Sequence, residues 1–151
     1  MITTDNTIEI LNDLVAIHND RIAGYERALK QLDDNNGDLK HLFLKMIDES
    51  RRIKMDLGSE VQVEGGTIES GTTASGTIYR AWMDVKAMFT GHDRKSILSS
   101  CEYGEDAAQK AYNSALEDGE LPRHIRTMLM EQQQQLKASH DQVKALSNAT
   151  F

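Results

Sequence analysis

Three glutamates occupy or border positions where a helical sequence ordinarily carries an apolar side chain. Glu49 falls within the series Leu39, Leu42, Met46, Glu49, Ile53, Leu57, and Glu105 within the series Leu98, Cys101, Glu105, Ala108, Tyr112, Ala115. Glu26 sits at the margin of a third series, Ile8, Leu11, Val15, His18, Ile22, Tyr25, Leu29, Leu32. Each series advances in steps of three and four, the spacing of one face of an α-helix, so Glu49 and Glu105 are aimed inward. An ionised carboxylate in an apolar interior is costly, and it either shifts its pKa or recruits a cation. One such cation is a divalent metal. Fe or Mn suits carboxylates supplemented by imidazole or amide donors, and Glu102, Gln135 and His140 are the residues that could supplement Glu26, Glu49 and Glu105. The other is arginine, a permanent cation that forms charge-assisted hydrogen bonds with carboxylates. Arg52, one turn beyond Glu49, is the candidate for that role.

The elements that must position these acids are long helices. The first is predicted over 7–35, because Asn6 and Glu9 have the spacing of a capping box and Asp33-Asp34-Asn35-Asn36-Gly37 has the composition of a helix end, with a glycine able to take positive φ. Asp38 opens a second helix over 38–63. The stretch EGGTIESGTTASG, 64–76, is rich in Gly, Ser and Thr and reads as a loop, and 75–90 regains a short amphipathic pattern through Ile78, Trp82, Val85 and Phe89. Further helices follow over 93–118 and 121–148, the last with Ile125, Leu129, Gln132, Leu136, His140, Val143 and Leu146 as its stripe. Short turns make the first and second helices antiparallel, and likewise the last two. The long connection between the second helix and the one starting at 93 can travel the length of a bundle and make those two parallel. Folding the chain this way brings Glu26, Glu49 and Glu105 to similar heights, with Gln132 to Gln135 near that layer and His140 one or two turns towards the first turn. By the same levels, His18 lies near Ile53 and Leu129 and reads as a core histidine.

Length and charge bound the classes of function. A chain of 151 residues with 39% apolar residues suits one domain, 1–151, with one bundle core. The net charge of −7, with no basic cluster beyond Arg51, Arg52 and Lys54, argues against a nucleic-acid partner. No apolar run is long enough to span a membrane and the amino-terminal stretch is polar, so a cytoplasmic protein with no membrane partner is expected. The single cysteine, Cys101, reads as a buried thiol with no chemical role. His41, His92 and His124 are scattered and lack the spacing of a zinc site. The Gly-rich loop lacks a P-loop lysine, and no Ser, His and Asp set can be paired for hydrolysis.

The stretches LNDLVAIHNDRIAGYERAL, YRAWMDVKAMFTG, CEYGEDAAQKAY and LKASHDQVKAL carry a resemblance over nearly the whole chain. The sequence resembles an uncharacterised bacterial family of ferritin-like four-helix bundles, labelled a domain of unknown function. The resemblance implies an all-α, ferritin-like four-helix bundle with one long crossover containing an extra short helix. It brings no established activity. Ferritin-like di-metal sites take one Glu from each of two helices and Glu-x-x-His from each of the other two. Here Glu49-Ser50-Arg51-Arg52 has arginine in place of the histidine, Glu131-Gln132-Gln133-Gln134 has glutamine there, and Lys137-Ala138-Ser139-His140 has the histidine without its acid. Two expectations follow. In the first, no catalytic activity is assignable, no cofactor is certain, and the polar Glu/Arg layer serves structure or interaction. In the second, an altered carboxylate site binds Fe or Mn, and only then does oxidoreductase chemistry arise. By analogy with ferritin-like bundles, a homo-oligomer such as a dimer is expected, and no protein partner is identifiable.

Overall fold

The computed structural model describes residues 2–69 and 94–150. Within them are four helices: α1 (Ile2–Gln31), α2 (Gly37–Val63), α3 (Arg94–Leu116) and α4 (Arg123–Ala149), with a single 3-10 turn, Asp34–Asn36, between α1 and α2. The short helix expected over 75–90, with Trp82, and the later part of the 64–76 loop lie outside the described residues. Among the described residues no helix is long and apolar enough to cross a membrane.

Two local expectations are corrected. The first helix begins at Ile2, so Asn6 lies inside it rather than at its cap, and its side chain donates to Asp118 Oδ2 at 2.7 Å. That bond ties the start of α1 to the α3–α4 turn. Gly37 was expected to use positive φ. It adopts φ −57° as the first residue of α2, because the reversal is made upstream, where extended Asp33 accepts from the Asn35 amide at 3.1 Å. The glycine whose freedom is used is Gly65, at φ +89°. Its amide donates to Gln62 O and that of Gly66 to Val61 O, the pair of bonds that closes α2 in a left-handed cap.

Cross-helix bonds give the helix directions. His18 meets Ser50 and Tyr112 while Arg21 meets Met46 and Glu105, so α1 runs antiparallel to both α2 and α3. Ser139 meets Glu49 and His124 meets Glu60, so α4 is antiparallel to α2. Helices α2 and α3 are therefore parallel, as a single long crossover requires. Both start at one end, where the Arg94 guanidinium grips the Asp38 carboxylate through two bonds of 3.0 and 2.7 Å.

The core is divided. One apolar cluster contains Leu11, Leu14, Leu57, Ala108, Ile125 and Leu129, and a second contains Tyr25, Leu39, Phe43, Ile97, Leu98 and Val143. Between them each helix contributes polar residues at one level: His18 and Arg21, Glu49 and Ser50, Glu105, and Ser139. A slab of buried hydrogen-bonding groups thus crosses a bundle whose two halves are held by apolar burial.

Candidate functional site

Arg21 is the centre of the polar slab. Its side chain is wholly buried. Nε donates to Glu105 Oε1 at 2.6 Å and Nη2 to Glu105 Oε2 at 3.3 Å, a two-pronged grip on one carboxylate. Nη2 also pairs with Glu49 Oε1 at 3.1 Å. Nη1 donates to Ser50 Oγ at 2.8 Å and to the Met46 carbonyl at 3.3 Å. The Tyr25 ring lies 5.4 Å from the guanidinium carbon and adds a cation–π contact. Every guanidinium nitrogen therefore has an acceptor, which is the condition for burying a cation. Burial by itself would favour the neutral form of Arg21, but Glu105, then Tyr25 and Glu49, outweigh it and hold the arginine more firmly charged than in water. Ser139 Oγ completes the acid side by donating to Glu49 Oε1 at 3.0 Å.

A relay of hydrogen bonds leads from the arginine into the lower half of the bundle. Tyr112 donates its hydroxyl to Gln132 Oε1 at 2.8 Å, so its oxygen is left to accept from His18 Nε2, also 2.8 Å away. His18 Nδ1 then accepts from Ser50 Oγ at 2.9 Å, and Ser50 in turn accepts from Arg21. The direction of every bond follows from the permanent charge at one end. His18 is neutral and protonated on Nε2 in this arrangement. Burial, then the positive charges of Arg21 and Lys54, push its pKa down to about 3, which keeps it so. Burial likewise raises the Tyr112 and Tyr25 phenols and the Cys101 thiol, in the last two cases reinforced by Glu105. These groups do not ionise near neutral pH.

The structure brings together two of the acids singled out in the sequence and separates the rest. Glu49 and Glu105 converge, Glu105 buried and Glu49 with 23% of its side chain exposed. Glu26 is on the outer surface, beside a shallow groove with Leu29, His41, Leu44, Lys45, Asp48 and Arg51. Its neighbour Tyr25 takes the inward position, and one residue's step of about 100° turns Glu26 out. Gln135 is exposed for the same reason beside buried Leu136. Glu102 is half-buried on α3. His140 is turned to the α3–α4 side, bonded to Asp106 and, at 3.1 Å, to Asp141, which raise its pKa against the opposing effect of burial. Arg52 is not in the layer: it is 74% exposed and pairs with Asp48 at 3.0 Å along the outside of α2.

Arg21, Ser50 and Ser139 were missed. A signal for Arg21 exists in the series Leu14, Ile17, Arg21, Tyr25, Ala28, a second inward register of α1 that the Ile22-centred stripe concealed. All five side chains are buried.

The donor set does not fit the di-metal centre that the fold suggests. The guanidinium already engages Glu49 and both oxygens of Glu105, and its positive charge opposes a second cation beside it. Glu131, which opens the Glu131-Gln132-Gln133-Gln134 stretch of α4, is exposed, and His140 is committed to two aspartates.

Comparison with known proteins bears on the family and the fold. The family described as domain of unknown function DUF2383 matches residues 6–118. No curated protein matches the sequence. Among solved structures, a mutant of Dps1 from Mycobacterium smegmatis superposes with a TM-score of 0.80 at 10% identity, covering 96% of this chain and 97% of that one. The likeness shows a ferritin-like helical bundle.

Proposed function

Since the chain belongs to the DUF2383 family, which is defined without an activity, we propose from its own geometry that it is a non-catalytic ferritin-like bundle acting through interaction. In it, an arginine takes the central place that metal ions take in catalytic relatives of the fold. One observation carries the reading: Arg21, fully buried, satisfies Glu105 with two bonds and Glu49 with one ion pair. Such a centre specifies register, because sliding any helix by a turn would strand a buried charge. Its carboxylates are already engaged by the guanidinium, which leaves no open place for a cation between them.

The interaction is with a second copy, through the outer α1–α2 face. Leu44 is 57% exposed there, and Glu26 and Asp48 lie beside Lys45 and Arg51, so the two signs of charge can pair across a twofold axis. The buried lone thiol of Cys101 suits a reducing cytoplasm. The reading is tested by Fe(II) titration under anaerobic conditions and oxygen-consumption measurements, comparing wild type with Glu105→Gln. No binding or turnover dependent on Glu105 is expected. Saturable Fe(II) binding that disappears in Glu105→Gln would overturn it. Sedimentation of wild type and Leu44→Asp tests the interface, with a shift to monomer expected in the variant and an unchanged distribution counting against it.

A further inference from the structure

A second meeting of acids and imidazole lies at the opposite end of α2 from the Arg94–Asp38 clasp. Glu60 is in the last turn of α2 and Glu64 is its C-terminal capping residue, four positions on and on the same face. His124 is in the first turn of α4. One ligating atom from each of the three lies within 4.8 Å of the other two. His124 Nε2 stands 3.3 Å from Glu60 Oε2.

That oxygen supplies an independent observation. Although 25% of the Glu60 side chain is exposed, Oε2 itself is shut off from solvent and receives no hydrogen bond. The group that faces it is His124 Nε2, which donates only when that nitrogen carries a proton and otherwise presents a second lone pair to the same point, an arrangement a cation satisfies. Glu64 is held in place by the left-handed cap at Gly65 and Gly66, so the two carboxylates stand on a fixed helix end rather than on a loose loop. His124 is 62% exposed, which leaves an open route from solvent.

We propose that Glu60, Glu64 and His124 form a binding site for one divalent transition-metal ion. Two carboxylate oxygens and one imidazole nitrogen suit Zn(II) or Mn(II), whereas Mg(II) and Ca(II) favour oxygen alone. The two acids carry a charge of −2 that His124 can at most half neutralise. The site joins the last turn of α2 to the first turn of α4. It was invisible as a spacing motif because its histidine comes from a helix 60 residues further along the chain than its last acid, 124 against 64.

The test is calorimetric titration of the full chain with Zn(II) and with Mn(II), together with Zn(II)-induced shifts of the His124 ring resonances in NMR. One ion per chain is expected, with shifts at His124, and with affinity falling in both His124→Ala and Glu64→Gln by at least the tenfold that loss of a supporting second-sphere group costs. His140→Ala, which removes another acid-bonded histidine, should bind as wild type does. Absence of saturable binding, or binding that His124→Ala and Glu64→Gln leave unchanged, would overturn the proposal and leave an ordinary surface ion pair. Because Glu60, Glu64 and His124 are remote from Arg21, Glu105→Gln separates this site from the central layer: binding here survives that substitution.

Discussion

Replacing Arg21 by methionine keeps much of the side chain's length and apolar stem while removing the charge. Two carboxylates then lose their cation. Glu105 is fully buried and loses both of its guanidinium bonds, so its charge is stranded, while Glu49, 23% exposed, can be partly rehydrated. Removing one partner of a buried ion pair costs about 3–5 kcal/mol, and the loss of the Nη1 bond to Ser50 loosens the relay to His18 as well. Against a total stability of roughly 5–15 kcal/mol this is a large share. With a urea m-value near 2 kcal/mol/M, the unfolding midpoint should drop by about 2 M. Acid should relieve the defect. With its cation gone, the stranded charge of buried Glu105 is relieved when the carboxylate takes a proton, so the variant gains stability relative to wild type as pH falls. Removing the stranded charge should do the same: Arg21→Met with Glu105→Leu should recover most of the loss, since well-packed apolar residues can replace a buried pair. Urea titrations of the three proteins at pH 8 and pH 5.5 decide the matter. A loss below about 1 kcal/mol in the single variant, or a double variant less stable than the single one, would refute the claim that Arg21 neutralises the slab.

Other perturbations reach the remaining parts of the fold. His18 has a folded pKa of about 3 against 6.5 unfolded, so below pH 6.5 the unfolded chain binds the extra proton; stability is full above that value and is lost as pH falls towards 3, at a limiting slope of about 1.4 kcal/mol per pH unit. His18→Gln should lack this component when urea midpoints are compared between pH 7 and pH 4.5, and an identical pH dependence would count against a buried neutral imidazole. Gly66→Ala would place a Cβ 2.7 Å from Ile8 Cγ2 and 3.1 Å from Val61 Cγ1, and should lower stability by about 1–3 kcal/mol in thermal melts. Gly58→Ala meets Ile68, tightly only at its Cδ1 tip, 3.1 Å away, and otherwise at ordinary contact distance, so the helix-propensity gain of up to about 1 kcal/mol should leave it neutral or more stable. The Cys101 thiol, buried and with its pKa pushed up by burial and Glu105, should react with a thiol reagent only at the rate of unfolding, measured with and without urea.

The periodicity of apolar residues by itself marked the four helices and most of their inward faces, and the lengths of the connections set α2 and α3 parallel. Leu39, Leu42, Met46, Ile53 and Leu57 of α2, and all six residues of the α3 series, are buried because a period of 3.6 keeps residues three and four apart on one face of a helix. The same periodicity marked Glu49 and Glu105 as inward acids. It could not decide which cation would meet them. Arg52 and Arg21 are both within a turn or so of the right height, and the choice depends on which faces outward once four helices share one core. On α2 the inward arc is filled by Ile53 and Ser50, so Arg52 is left to solvent. On α1, packed by α2 on one side and α3 on the other, the buried arc widens to take in Arg21 as well as Ile22 and Tyr25. Glu26 and Gln135 fell outside that arc by a single residue's rotation. The meeting of His124 with Glu60 and Glu64, and the relay from Arg21 to Gln132, likewise arise only where helices distant in sequence are brought to one level. Contacts within a helix are set by local spacing; contacts between helices are set by the rotation and height that packing of the whole core imposes.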